Sequence, residues 1–280
     1  MLVAVGSFSL MDASIKVLSP HYPAIQVTAL RGLASLPIAL GWVLLQGGLG
    51  QLGRVRFGLQ IFRGILGILS LAGFTYGLRR LALSEAYSVF FVAPLLITLL
   101  AAVVLREPVG RSRWIAIGFG FLGTLIVLRP TGAGTVTLAG LAILAAAACY
   151  AASAVTVRIL GRTDSTPSMV FWTMLFIALG AGAVALPRWH PVQPEHWRSI
   201  AAIAVTGSLA QWALTEAFRR GQASFIAPFE YTALVWGIGL DWTLWRAFPS
   251  PVTLLGAAVI VTCGVYLLRH ERIHAEAEHP

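Results

Sequence analysis

The chain has 280 residues, 58% of them hydrophobic and 11% charged, with 20 Lys and Arg against 11 Asp and Glu for a net charge of +9. Soluble domains carry about 25% charged residues, so this composition excludes a water-soluble enzyme or binding module and implies a membrane protein. The positive charge is read as loop topology and contact with anionic headgroups; nucleic acid binding would need a basic patch on a folded surface, and no segment is polar enough to build one.

A hydrocarbon core about 30 Å thick takes roughly 20 apolar residues per helical span. Charged residues, Pro and Gly divide the chain into ten such runs: 1–18, 23–45, 59–78, 83–105, 114–128, 138–160, 168–186, 197–218, 223–245 and 252–268. Span 1 has no basic stretch before Leu2, so it is expected to be retained rather than cleaved as a signal peptide. The longest connection is 187–196, too short for a separate water-soluble domain.

Lys and Arg in short loops set the orientation. Arg54, Arg56, Arg106, Arg111, Arg113, Arg158, Arg162, Arg219, Arg220, Arg269 and Arg272 follow even-numbered spans or close the chain. The other side has Lys16, Arg79, Arg80, Arg129, Arg188, Arg198 and Arg246. This excess places both termini in the cytoplasm of a bacterial-type inner membrane. Cys149 and Cys263 lie in apolar runs without a CxxC partner and are read as small buried hydrophobes.

The last span runs into HERIH, His270 to His274. On a helix this spacing puts two imidazoles on one face to hold zinc, with the glutamate as general base. Such a hydrolase needs a third ligand and a sheltered cleft. Only Glu276, Glu278 and His279 remain as donors, in a tail that should fray. The segment is read instead as a charged cytoplasmic helix end, continuing into the tail 271–280, whose cations suit the C-terminal dipole. No cofactor or metal is expected.

The second half of the chain repeats the first. TYGLRR at 75–80 meets TEAFRR at 215–220, and Ser84 and Ser224 follow at the same offset. GTLIVLR at 123–129 meets GVYLLR at 264–269, and IKVL at 15–18 meets VRIL at 157–160. Each repeat then holds five helices, in 1–130 and 138–270. An odd number makes the second copy enter from the opposite face, so the fold class is an all-α integral membrane protein of ten transmembrane helices in two inverted five-helix repeats. Inverted repeats are a common secondary-transporter architecture with a midplane site at the repeat interface.

The stretches SLMDASIKVLSPHYPAIQVTALRGL and LRRLALSEAYSVFFVAPLLITLLAAVVLREPVGRSRWIAIGFGFLGTLIVLRP resemble the EamA-type repeat of the drug/metabolite transporter superfamily. Ala86, Pro94, Glu107, Trp114, Gly123 and Pro130 carry the likeness. In the second copy Ala247 stands where Glu107 does, and no proline matches Pro94. The resemblance implies a ten-helix inner-membrane carrier of small metabolites, amino acids, nucleoside-like molecules or vitamins among them. It also implies a central cavity lined by helices 1, 3, 4, 6, 8 and 9, and efflux as the direction.

Ionisable residues at a helix centre cost about 2.5–3.5 kcal/mol on insertion scales, so each needs a reason. Asp12, Arg31, Arg63, Glu85, Glu216, Glu230 and Asp241 fall within or at the edge of spans. Asp12 and Lys16 share a face of span 1, either as a self-neutralising pair or with Asp12 turned to substrate or proton. Glu230 follows Pro228, which can kink span 9, and Asp241, three turns on, returns to the same face of a continuous helix. Glu216 either pairs with Arg219 or Arg220 or faces the substrate. Arg31 and Arg63 are read as partners of acids across helix interfaces.

Aromatic residues supply the apolar half of a pocket, alongside Ser84, Ser88, Gln211 and Thr215. The candidate substrate-binding set is Asp12, Tyr87, Ser88, Phe91, Tyr150, Trp212, Glu216, Glu230, Tyr231 and Trp236. The function expected is alternating-access transport of a small polar or amphipathic metabolite, amino-acid-like or zwitterionic, with proton coupling through an acid. A zinc hydrolase built on HERIH and a non-transporting scaffold or scramblase are the alternatives. Partners are the metabolite and membrane lipids.

Overall fold

A computed structural model describes residues 1–107 and 137–247, with isolated positions 110, 115, 118, 119, 122, 251, 252, 254, 255, 258, 259 and 262. The spans expected at 114–128 and 252–268 lie outside these residues but for those positions. Trp114, Gly123, Pro130, Cys263 and the HERIH segment lie outside altogether.

Local sequence explains where the helices start. Helices α1 (Leu2–Leu18), α2 (Ala24–Leu45) and α3 (Phe57–Leu78) come first, and Pro23 sits at the α2 N-cap, where its missing N–H is not needed. Helix α6 (Leu138–Leu160) is capped by the Thr137 hydroxyl, which accepts from the Gly140 N–H at 3.2 Å. Ser165 does the same for α7 (Thr166–Ala185), with Pro167 in its first turn. Helix α8 (Trp197–Arg220) ends at Gly221.

Neither 83–105 nor 223–245 is a single helix, which corrects the continuous spans expected from hydropathy. The first divides at Phe91 into α4 (Leu83–Phe90) and α5 (Val92–Val104). Pro94 has no N–H to give the Phe90 carbonyl, so the ladder is interrupted there. The second is α9 (Ala223–Ile226), a 3-10 stretch (Ala227–Thr232) and α10 (Ala233–Trp245). Pro228 likewise cannot donate to the Ser224 carbonyl.

Among the described residues, six helical stretches are long and apolar enough to cross a membrane: Ala24–Leu45, Phe57–Leu78, Leu83–Val104, Leu138–Leu160, Thr166–Arg188 and Ala223–Trp245. Helix α1 packs on α8, α2 on α7, α3 on α6, α4 on α10 and α5 on α9. Exchanging α1 with α6, α2 with α7, α3 with α8 and α4–α5 with α9–α10 carries this pattern onto itself, in keeping with the 140-residue offset of TYGLRR and TEAFRR. Close approach at the centre of the pattern depends on Gly32, where an added Cβ would stand 2.5 Å from the Ala178 backbone nitrogen. Small residues allow such helix contacts in lipid.

Candidate functional site

Helices α1, α2, α3, α4, α6, α7, α8 and the broken α9–α10 span enclose a cavity of about 150 Å³. It runs along α1 from Met1 to Asp12, about 16 Å at 1.5 Å per residue. Both interrupted spans supply walls, through Tyr87, Phe90 and Phe91 on one and Glu230 and Ala233 on the other.

Two carboxylates face this space, each 7% exposed and each held by a tyrosine. The Tyr87 hydroxyl donates to Asp12 Oδ2 at 2.9 Å. The Tyr150 hydroxyl donates to Glu230 Oε1 at 2.8 Å. Between the two tyrosines runs a row of rings: Tyr87 stacks on Phe74 at 6.0 Å, Phe74 meets Phe90 edge-on at 5.3 Å, and Phe90 meets Tyr150 at 5.3 Å. Offset and edge-to-face pairs of this kind lock one another and leave an apolar wall of rings turned at different angles.

Two arginines line the same cavity. Arg31 donates through Nη2 to Gln211 Oε1 at 3.3 Å and lies 5.7 Å from the Phe8 ring. Arg63, 1% exposed, donates to the Met169 carbonyl at 3.3 Å and to the Thr215 hydroxyl at 3.1 Å. The Nε of each is buried without a hydrogen-bond partner, and among the described residues neither guanidinium has a carboxylate within 4.0 Å. Sequence reads Arg31 and Arg63 as partners of acids across helix interfaces; the acids Asp12, for Arg31, and Asp164, for Arg63, act on them through space without a direct ion pair. Neither arginine has an Asp or Glu three or four residues away on its own helix, and both stand inside their helices rather than in a last turn, where Arg158 stands.

Of the ten sequence candidates, Asp12, Tyr87, Phe91, Tyr150 and Glu230 line the cavity. The other five lie elsewhere. The Ser88 hydroxyl is buried and donates to the Ser84 carbonyl at 2.8 Å. Trp212 packs 6.0 Å from Trp42 in the cluster joining α2, α7 and α8. Glu216 accepts from the Thr166 hydroxyl and pairs with Arg220 and, at 3.9 Å, with Arg219. Tyr231 sits behind the wall, its ring edge-on to Phe91 at 5.3 Å. Trp236 is half exposed and lies over Gly6.

Two pairings differ from those expected. Lys16 meets Asp241 at 2.9 Å rather than Asp12, one turn away on its own helix. Asp241 shares the buried side of α10 with Leu234 and Gly237, but it is held against the first turn of α4 and does not line the cavity with Glu230. Glu85 accepts from the Ala82 N–H at 3.3 Å at the start of α4.

The profile described as the EamA-like transporter family matches residues 1–129 and again 137–269. The riboflavin transporter of Vibrio cholerae is 27% identical, covering 97% of this chain and 92% of its own. The pseudopaline exporter of Pseudomonas aeruginosa is 26% identical over 97% and 95%. The S-adenosylmethionine uptake transporter of Rickettsia prowazekii is 24% identical over 99% and 94%. A solved crystal structure at 20% identity shares the fold with a TM-score of 0.73, covering 96% of this chain and 98% of the other.

Proposed function

The chain belongs to the EamA-like transporter family, a multi-pass membrane protein among small-metabolite transporters, and on that footing we propose a secondary carrier for a small amphoteric metabolite. The observation that carries this is the split of charge in one cavity: Asp12 and Glu230 on tyrosine hydroxyls, and Arg31 and Arg63 without a direct ion pair among the described residues. Charges inside a bilayer persist where they serve a pathway or a ligand. The guanidiniums suit a carboxylate or phosphate, which they grip with paired N–H groups. The acids suit a cation, and the row of rings from Tyr87 to Tyr150 suits an apolar or aromatic part of the same molecule. An amino-acid-like zwitterion has that pattern.

The relatives carry three differently named metabolites, which supports small-molecule cargo without choosing one. Alternating access between two inverted repeats, 1–130 and 138–270, is supported by the double profile match and by the exchange symmetry of the helix contacts. Broken helices in corresponding positions of the two halves are a mark of midplane sites. Proton coupling is assigned to Asp12 or Glu230, both termini to the cytoplasm on the arginine distribution, and export to the direction on the family resemblance.

The test is a thermal-shift screen of the detergent-purified protein against amino acids, nucleosides, vitamins and organic cations. A compound with both charges should stabilise the unmutated protein, by about 2.7 kcal/mol at a hundred times its Kd. Glu230→Gln and Arg63→Gln should each remove most of that gain. If neutral compounds stabilise both variants as well as the parent, the amphoteric reading is wrong.

A further inference from the structure

The first turns of α4 and α9 are each held by a carboxylate from the far end of the other broken span. At one end Asp241 of α10 accepts from the Leu83 N–H at 3.1 Å, the Ser84 N–H at 2.7 Å and the Ser84 hydroxyl at 2.8 Å. Lys16, near the close of α1, completes this clasp at 2.9 Å. At the other end Glu107, just past α5, accepts from the Ala223 N–H and the Ser224 N–H, both at 3.4 Å, and from the Ser224 hydroxyl at 3.0 Å. Arg158, near the close of α6, stands 3.9 Å from it.

The two clasps correspond part by part, Leu83 with Ala223 and Ser84 with Ser224 at the 140-residue offset and Lys16 with Arg158 two residues beyond it. The carboxylate slips furthest: Asp241 takes the part of Glu107 six residues before Ala247, the position that matches by sequence. The span Leu83–Val104 has 22 residues, about 33 Å of helix, so the clasps sit at opposite membrane faces. One face holds Leu18 and the Asp241 clasp. The other holds Met1 and the Glu107 clasp; Met1, Val157 and Ala223 share one apolar cluster there.

The clasps are unequally closed. The Asp241 side chain is 0% exposed and Lys16 14%, whereas Glu107 is 11% and Arg158 29% exposed. The cavity follows the same sense. It reaches Met1, on the side of the longer contacts, and stops at Asp12, one turn short of Lys16.

We propose that the two carboxylate clasps are the two gates of this cavity, closed in turn. Resting on the transport reading above, the inference adds which residues seal each face. With the cavity open toward Met1, Asp241 and Lys16 seal the Leu18 face. When the cavity opens toward Leu18, Glu107 and Arg158 draw onto the first turn of α9 as Asp241 and Lys16 now hold α4. A carboxylate at a helix N-terminus gains from both the free N–H groups and the dipole. Stripped of one partner while still buried, it is strongly unfavourable, so a clasp that loosens must do so toward water, as the longer contacts and partial exposure of Glu107 and Arg158 show. Elements with two discrete arrangements are what switching transitions use.

The test reads cavity access and needs no substrate. Ser153→Cys places a thiol in the cavity wall of a chain with Cys149 and Cys263 changed to Ala. A membrane-impermeant maleimide is applied to vesicles of both orientations, and the ratio of labelling from the Leu18 face to that from the Met1 face is measured. Asp241→Asn should raise the ratio about tenfold, the change that follows a ~1.4 kcal/mol loss of gate stability. Glu107→Gln, acting on the weaker clasp, should lower it about threefold. Lys16→Met leaves the α4 cap in place and should move the ratio as Asp241→Asn does, which covers the case where the latter does not fold. Ratios that shift the same way for both carboxylates, or that stay unchanged in variants with parental melting behaviour, would overturn the gating role and make the clasps static braces. The ligand screen of the proposed function would be untouched by that failure, and an empty ligand screen would leave a reciprocal shift in labelling intact.

Discussion

In the α4–α5 span the helix is interrupted for a single residue, Phe91, whereas in the α9–α10 span six residues, Ala227–Thr232, adopt 3-10 geometry. The first turn of α4 is held by contacts of 2.7–3.1 Å and that of α9 by contacts of 3.0–3.4 Å. Runs of 3-10 helix have poorer hydrogen bonds and often mark hinges. The two halves are thus alike in plan and unlike in stiffness. The tight half fixes Tyr87 and through it Asp12, and the looser half carries Glu230 on its irregular backbone.

The difference is broken most directly by removing each carboxylate in turn. Asp241→Leu leaves the Leu83 N–H, both Ser84 donors and Lys16 without their acceptor. Breaking a buried pair from one side costs about 3–5 kcal/mol, and the unfolding transition of the purified protein should fall accordingly. Glu107→Leu removes longer contacts to a partly exposed cation and should cost about 1 kcal/mol. Equal losses in thermal unfolding would mean that the geometric inequality of the clasps has no energetic counterpart.

A smaller and more local probe uses one glycine from each side. A Cβ on Gly237 would lie 2.7 Å from Tyr87 Cδ2 and 3.1 Å from Cε2, on the edge of a ring already stacked on Phe74. Gly237→Ala should cost about 1–3 kcal/mol as overpacking and should also weaken ligand-induced stabilisation, because Tyr87 orients Asp12. At Gly221, before α9, the Cβ would meet Ile226 Cδ1, a buried side chain of the apolar cluster that must shift to make room. Gly221→Ala is expected to cost about 1 kcal/mol, the low end of overpacking, because only one side-chain end is displaced. If Gly221→Ala proves as costly as Gly237→Ala, the second half is packed as rigidly as the first.

Hydropathy located the membrane helices well because lipid demands long apolar runs: 138–160 coincides with α6, and 23–45 and 59–78 differ from α2 and α3 by one or two residues at their starts. The break at Phe91 left no trace in hydropathy, since Phe90, Phe91 and Val92 are all apolar, and only Pro94 marks it. The 140-residue offset predicted which helices exchange, yet it paired Glu107 with Ala247. A carboxylate reaches over more than one turn, so Asp241 can do the work from another register, and no one-to-one alignment would find it. Half of the candidate site residues came to the cavity for a similar reason: composition says which side chains are costly in lipid, but only packing says whether the cost is met by a neighbour, as for Glu216, or left facing space, as for Arg63.

Glu216 gives the mildest test of where the site ends. Its partners are the Thr166 hydroxyl, Arg219 and Arg220, and Arg220 is 78% exposed. Exposed pairs are worth about 0–1 kcal/mol, and Gln keeps an oxygen for the Thr166 hydroxyl. Glu216→Gln should therefore shift unfolding by no more than about 1 kcal/mol and leave the ligand-induced stabilisation at its parental size. The contrast with Glu230→Gln is the informative part, since Glu216 faces neighbouring side chains and Glu230 faces the cavity. A lost ligand response in Glu216→Gln would extend the site past Leu214, the last α8 residue on the cavity wall, toward the end of α8, and the difference between the two broken spans would then matter less than their shared distance from that helix.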